Sequence, residues 1–196
     1  MKNSFIKITL DERNEFRARA DFTLFGNDCE EVSVKIDTGC AYTSIPISKV
    51  AVVSKDTVQK WMEMDYNNPK AKKVISFGVN DSKEQRKKIK EEFAKGIYDS
   101  TAVSFIHKIK DISINGVYLG TLDLRVNYKR SGNILIGMDI LKTWDIHIRR
   151  IESGETILLA CPYNQINEEY LLELERTFKL GTLVSSAKVR DFIDFD

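Results

Sequence analysis

Proline, cysteine and histidine are scarce in this chain, and long apolar runs are absent. Its 196 residues include three prolines, three cysteines and two histidines. The cysteines, Cys29, Cys40 and Cys161, are odd in number, far apart and without the paired spacing of a zinc ribbon, so we expect reduced thiols. No apolar stretch approaches the roughly 20 residues of a membrane span, and lysines interrupt the amino-terminal segment where a secretory signal would be apolar. These absences predict a cytoplasmic protein with no membrane partner.

The charge of the chain is almost balanced, with 30 basic and 29 acidic residues and a formal net charge of +1. This balance gives no overall attraction to nucleic acid or to an anionic membrane. The basic run from Lys83 to Lys90 is interleaved with glutamates, which is typical of a solvated helix face. Neither His107 nor His147 has the spacing to cysteines or carboxylates that would indicate a metal. We therefore expect no nucleic-acid partner, no metal and no other cofactor.

Apolar and polar residues alternate in several segments, as they do in half-buried strands. The pattern is clear from Phe16 to Leu24 and from Val32 to Ile36, with a turn at Gly26-Asn27-Asp28 between them. The other segments with strand patterning are 103–114, which leads into an Asn115-Gly116 hairpin turn, 122–126, 134–138, 146–148 and 156–159. The sequence thus predicts a mainly β fold.

Helical patterns are confined to two places. Between Pro46 and Glu92 the sequence predicts at least two helices, the first ending at Asn67-Asn68-Pro69 and the second beginning at Asn80-Asp81-Ser82. Another helix is expected from Asn167 to Lys179, ending at Gly181. We therefore expect one β domain over residues 1–160 with a helical insertion at about 47–93, and a C-terminal helical extension over 161–196.

The segment with the clearest chemical signal is Asp37-Thr38-Gly39, which directly follows a strand that ends at Ile36. A carboxylate at the end of a strand is held rigidly, and a glycine two residues later permits close backbone approach. By strand parity Asp37 leaves on the side of Lys35, opposite the apolar face, so its side chain can project into a cleft.

Three segments together resemble the retropepsin family of aspartic proteases. Asp37-Thr38-Gly39-Cys40-Ala41-Tyr42-Thr43 resembles the catalytic loop of that family. The segment from Asn133 through Ile134-Leu135-Ile136-Gly137-Met138 to Leu141 resembles the strand, glycine and short helix that follow the flap. The segment from Ile112 to Gly120 resembles the hairpin before that strand. The similarity covers roughly residues 5–159, with the three segments in the family's order.

The resemblance implies a pepsin- or retropepsin-like half barrel, with the helical insertion and C-terminal helix as additions. It also implies an aspartic endopeptidase that acts on protein or peptide substrates as a homodimer, in which Asp37 from each copy forms the catalytic pair. Thr38 would hydrogen-bond across the dimer axis, and Gly39 would present its carbonyl to substrate. The remaining implied roles are substrate binding or dimer support for Cys40, Ala41 and Thr43, and structural support for Gly137.

Two features depart from the family pattern. Cys40 stands where pepsins have Ser or Thr, and a thiol is a poor donor to the neighbouring carboxylate. We therefore expect a less acidic pH optimum than pepsin's. The long insertion displaces the expected flap to about 96–105, and this segment lacks a glycine-rich tip.

The same residues allow other interpretations. Asp37 could be a turn aspartate that caps backbone amides, and Asp139 is expected to help start a short helix rather than supply a second catalytic acid. The alternative function is a catalytically silent dimerisation or peptide-binding module of the same fold. A third interpretation is an enzyme whose termini block assembly until they are trimmed.

Overall fold

The computed structural model describes residues 4–50, 54–77, 81–98 and 100–179. Its strands are β1 (Ile6–Thr9), β2 (Phe16–Leu24), β3 (Asn27–Ile36), β4 (Ser44–Pro46), β5 (Lys73–Ile75), β6 (Val103–Ile114), β7 (Val117–Asn127), β8 (Ile134–Ile136), β9 (Trp144–Arg150) and β10 (Thr156–Pro162). Its α-helices are α1 (Lys55–Asn67), α2 (Lys83–Ala94), α3 (Met138–Leu141) and α4 (Glu168–Phe178). This mainly β architecture, with a helical insertion and a C-terminal helix, confirms the expected fold class.

The larger sheet has seven strands in the order β2-β3-β8-β4-β7-β6-β5. A further pairing of β2 with β6 closes six of these strands into a barrel. The seventh strand, β5, pairs with the first residues of β6, Val103 to Phe105. Closure pairs the strand edges that an open sheet would leave exposed. The barrel interior is filled by aliphatic side chains such as Val34, Ile45, Val126 and Ile134, each at most 2% exposed.

The alternation read from the sequence corresponds to the two faces of the strands. Along β2 the residues Ala18, Ala20, Phe22 and Leu24 are buried, and β3 buries Val34 and Ile36 while Lys35 between them stays partly exposed. The register shifts between Ala20, which faces Val32, and Phe22, which faces Cys29, so β3 contains one extra residue there and Cys29 is buried.

One lateral row of residues crosses the sheet beside the Asp-Thr-Gly loop. Lys35 on β3 is in register with Leu135 on β8, Leu135 with Ser44 on β4, and Ser44 with Arg125 on β7. Residues in lateral register project from the same face of a sheet. The row therefore shares the side from which Asp37 leaves, two residues beyond Lys35.

The insertion contains the two expected helices and one strand that the sequence did not predict. Ser54 caps α1 through the Thr57 amide, and the helix ends at Asn67 as predicted. Ser82 caps α2 in a reciprocal capping box with Gln85. Asn80, part of the predicted start, lies outside the described residues. The unpredicted strand β5 lies between the helices and pairs with β6, so the expected flap segment 96–105 ends inside a paired strand.

A second, three-stranded sheet has the order β1-β10-β9 and supports α4. Tyr170 and Leu174 of α4 pack on Leu159 and Cys161 of β10, so the apolar side of this helix covers the sheet. Asn167 caps the helix start, and the predicted end at Gly181 lies outside the described residues. Within the described ranges, no helix combines the length and apolarity needed to cross a membrane.

Candidate active site

Asp37 stands directly after β3, at the point where that strand leaves the barrel sheet. Its backbone N–H donates to the carbonyl of Ile136 on β8 at 3.0 Å, which continues the parallel pairing of Ile36 with Ile136. Val34 and Ile36 anchor the strand in the core. The backbone of Asp37 is thus fixed by two strands, while 29% of its side chain remains exposed.

The Asp37 carboxylate has two contacts of different strength. The Gly39 N–H donates to Oδ1 at 3.0 Å, which is the local turn bond that the turn-aspartate interpretation predicted. Lys35 Nζ lies 3.9 Å from Oδ2, a distance that gives Coulomb attraction without a hydrogen bond. The turn bond therefore orients the carboxylate, and Oδ2 lies on the side of Lys35.

Lys35 is itself held by a carboxylate on its other side. Its ammonium donates to Glu15 Oε1 at 3.1 Å, and Arg17 also binds Glu15. The Lys35 hydrogen bond, opposed by some burial and assisted by Arg17, holds the pKa of Glu15 below its usual value of 4.5. Lys35 is therefore shared between Glu15 and Asp37, with the shorter contact to Glu15.

The loop after Asp37 is braced by the turn between β8 and α3. The Met138 N–H donates to the Cys40 carbonyl at 2.8 Å, and the Asp139 N–H donates to the Ala41 carbonyl at 3.2 Å. A Cβ placed on Gly137 would lie 2.5 Å from the backbone carbon of Tyr42 and 2.9 Å from the Cys40 oxygen. Only glycine permits this approach, which gives a physical reason for the supporting role expected of Gly137.

Thr43 forms the buried centre of this brace and is 0% exposed. Its hydroxyl donates to Asp139 Oδ1 at 2.7 Å and accepts the Gly137 N–H at 3.0 Å. The same Asp139 oxygen also accepts the backbone N–H groups of Thr43, at 2.7 Å, and Ile140, at 3.1 Å. The sequence placed Asp139 at the helix start but did not reveal its bonds to Thr43, because no local motif links the two segments.

The remaining predicted residues lie on the loop surface. Thr38, Gly39 and Ala41 are exposed, and Cys40 is partly exposed. The Cys40 thiol donates to the Tyr42 carbonyl at 3.1 Å, so its hydrogen bond goes into the loop backbone instead of to Asp37.

An arginine that the sequence did not single out lies against the loop. The guanidinium carbon of Arg125 is 3.4 Å from the centroid of the Tyr42 ring, and the same guanidinium donates to the Ser76 hydroxyl just after β5. Tyr42 is 49% exposed. These contacts join β7, the Asp-Thr-Gly loop and β5, three segments far apart in the chain.

Each histidine binds an aspartate, His107 on another element and His147 on its own strand, β9. His107 Nε2 of β6 lies 2.6 Å from Asp65 Oδ2 of α1, which also accepts the Tyr128 hydroxyl at 2.5 Å. His147 Nε2 lies 3.0 Å from Asp145 Oδ2. Burial and the Asp65 carboxylate both raise the pKa of Tyr128. Each histidine is thus partly buried and part of a structural hydrogen-bond group.

One solved structure that resembles this chain is the crystal structure of a retropepsin-like aspartic protease from Rickettsia conorii. The match covers 80% of this chain and 92% of that chain, with 15% sequence identity and a TM-score of 0.43. No protein-family model matches the sequence, and no curated protein matches it. A likeness at this identity and score does not establish family membership.

Proposed function

We propose that this chain is an aspartic endopeptidase in which Asp37 from each of two copies activates a water molecule. The observation that carries the proposal is the partly exposed Asp37 carboxylate, fixed at the end of a buried strand and oriented by the Gly39 N–H. The resemblance of the Asp37-Thr38-Gly39 loop and of the Gly137 turn to the retropepsin sequence pattern supports it. The backbone hydrogen bonds between these two segments give a physical reason why both patterns occur in one chain.

The requirement for two copies follows from the chemistry. Peptide hydrolysis through an activated water needs one group that accepts a proton and another that donates one. Asp139, the acid in the bracing turn, has one oxygen that already accepts three N–H and O–H donors within its own chain. The second catalytic carboxylate is therefore assigned to Asp37 of another copy, which requires a homodimer with a two-fold axis beside the loop.

The pair works because two carboxylates about 3 Å apart cannot both ionise cheaply and instead share one proton. The ionised Asp37 takes a proton from the water molecule while the water oxygen bonds to the scissile carbonyl carbon. The protonated Asp37 gives its proton to the carbonyl oxygen, which forms a tetrahedral diol. Return of a proton to the amide nitrogen then allows the carbon–nitrogen bond to break and releases an acid and an amine.

The neighbouring residues have proposed roles that fit their exposure. Thr38 is exposed and would meet its counterpart across the dimer axis, while the Gly39 carbonyl and Ala41 would face the substrate backbone. Thr43 and Gly137 hold the loop from behind. Because the Cys40 thiol donates to the Tyr42 carbonyl, this side chain does not donate a hydrogen bond that would favour the ionised form of Asp37. This supports an optimum at less acidic pH than pepsin's.

The test is cleavage of a denatured protein substrate between about pH 4 and 7 by the wild type and by Asp37→Asn. Loss of a general acid–base group predicts a fall of about 10³-fold or more, and a statine-type transition-state mimic should block the wild type. Asp56→Asn, which changes an exposed acid on α1, is the matched control and should keep full activity. Turnover that survives in Asp37→Asn would refute the assignment.

A mixing experiment tests the shared site. When equal amounts of wild type and Asp37→Asn are refolded together, only about a quarter of random dimers carry two aspartates. Activity should therefore fall to about a quarter of that of an all-wild-type sample, whereas a self-sufficient monomer would retain about half. A dimer that binds peptides but cleaves none at any pH would instead identify a silent peptide-binding module.

A further inference from the structure

Arg125 lies on the face of the barrel sheet from which the catalytic loop rises. It is in register with Ser44, which is in register with Leu135, which in turn is in register with Lys35. Asp37 follows Lys35 by two residues and leaves from the same side. A peptide bound along this face beside Asp37 would therefore pass in front of Arg125.

The guanidinium is held in place without being neutralised. Its central carbon lies over the Tyr42 ring, 3.4 Å from the ring centroid, and one N–H group donates to the Ser76 hydroxyl. Throughout residues 4–50, 54–77, 81–98 and 100–179, no aspartate or glutamate forms an ion pair with it. Arg17, by contrast, pairs with both Asp11 and Glu15. Among the described residues, Arg125 is thus a partly buried cation that contacts an aromatic ring and a hydroxyl and forms no ion pair with a carboxylate.

Such a cation favours an incoming carboxylate for two reasons. A guanidinium has five N–H donors in a planar fork, and the single bond to Ser76 leaves donors for a bidentate carboxylate. The stacking on Tyr42 already restricts the side chain, so little further rotamer entropy is lost when a ligand binds.

We propose that Arg125 selects substrates with an aspartate or glutamate side chain near the scissile bond. The inference rests on the proposed protease function and names the substrate class of the same site. Three strand spacings of about 4.8 Å separate β3 from β7, or about 14 Å, which an extended peptide spans with about four residues. In a homodimer the two-fold axis would place an Arg125 on each side of the scissile bond, so acidic residues are favoured on both sides.

The experiment measures binding to the full chain carrying Asp37→Asn, which prevents cleavage of the probe. Fluorescein-labelled peptides carry either Glu or Gln at one of four positions on each side of a central apolar pair, and their affinities are compared by fluorescence anisotropy. We expect the Glu peptide to bind about tenfold more tightly at the recognised position, because one charge-assisted bidentate contact is gained. The preference should weaken with added salt.

Variants of Arg125 test the residue itself. Arg125→Gln should remove the preference for Glu over Gln, and Arg125→Glu should invert it toward Lys peptides. Arg149→Gln removes another arginine that stacks on an aromatic ring, Phe178, and should leave the preference unchanged. An inverted preference requires a folded site, so a merely structural role of Arg125 would not produce it.

The outcomes separate this inference from the proposed function. If the chain with an intact Arg125 binds Glu and Gln peptides equally at every position, or binds neither, the proposed selectivity of Arg125 is refuted. A wild-type chain that cleaves protein without acidic preference keeps the protease proposal and refutes the selectivity. Acidic selectivity in a chain that never cleaves would refute the protease proposal alone.

Discussion

Thr43→Val should destabilise the chain more than the small change in side-chain shape suggests. Valine keeps the volume and branching of threonine but has no hydroxyl. The Thr43 hydroxyl is fully buried, donates to Asp139 Oδ1 at 2.7 Å and accepts the Gly137 N–H at 3.0 Å. Its loss leaves the buried Gly137 N–H without a partner at the turn that braces the Asp-Thr-Gly loop.

The magnitude follows from counting these bonds. A buried donor left without a partner costs about 1–3 kcal/mol. The Asp139 oxygen loses one of three donors but keeps the N–H groups of Thr43 and Ile140, so its contribution is smaller. We therefore expect a fall of about 2–3 kcal/mol in the free energy of unfolding. Thr43→Ser, the matched control, keeps both bonds and loses one methyl group, at about 1 kcal/mol.

The assay is urea unfolding followed by tryptophan fluorescence, to which the buried Trp144 contributes, at one fixed protein concentration because dimerisation would shift the midpoint. A double-mutant cycle with Asp139→Ala should show strong non-additivity, since both changes break the same bond. The reasoning is refuted if Thr43→Val unfolds within about 0.5 kcal/mol of the wild type. It is equally refuted if Thr43→Ser is the less stable of the two variants.

Two other predictions concern close packing and thiol ionisation. Gly137→Ala should cost about 1–3 kcal/mol or more in urea unfolding, because its Cβ meets the Tyr42 backbone at 2.5 Å. Gly26→Ala is the control, because its Cβ would meet nothing within 4 Å and only its positive φ of 76° would be strained. It should lower the free energy of unfolding less than Gly137→Ala does, and the reverse order would contradict the steric argument. Burial raises the pKa of the Cys161 thiol from 9.0 to about 12, so iodoacetamide at pH 8 should label the accessible Cys40 in the native chain and leave Cys161 unlabelled until urea is added. Since the folded chain holds this proton more tightly, the associated stability is complete below pH 9 and is lost as the pH rises toward 12, which thermal melts across that range would detect.

Much of the strand framework could be predicted from the sequence, because burial on one face imposes a period of two on each strand. The Asn115-Gly116 turn illustrates this at its clearest. Both residues adopt positive φ, 47° and 81°, as a tight hairpin requires, and asparagine and glycine are the residues that tolerate it. The helix limits at Asn67 and Ser82 were similarly encoded by local capping chemistry.

The features that sequence analysis missed depend on partners far away in the chain. β5 has three residues, Lys73–Ile75, all partly buried, so it lacks alternation and exists through its pairing with β6. Closure of the barrel by β2 and β6 likewise leaves no local mark. The stacking of Arg125 on Tyr42 joins two residues that are unremarkable in their own segments.

Asp37 and Asp139 show why the role of a carboxylate depends on its surroundings. Both lie just beyond adjacent parallel strands, β3 and β8, and both sit beside a glycine turn. One Asp139 oxygen accepts three donors, two of them on Thr43 beside the Asp-Thr-Gly loop, so removing this carboxylate would weaken the brace on that loop. Asp37 receives a single backbone N–H and keeps a partly exposed side chain. Because bracing the loop occupies Asp139, the two-carboxylate mechanism proposed for Asp37 draws its second acid from another copy.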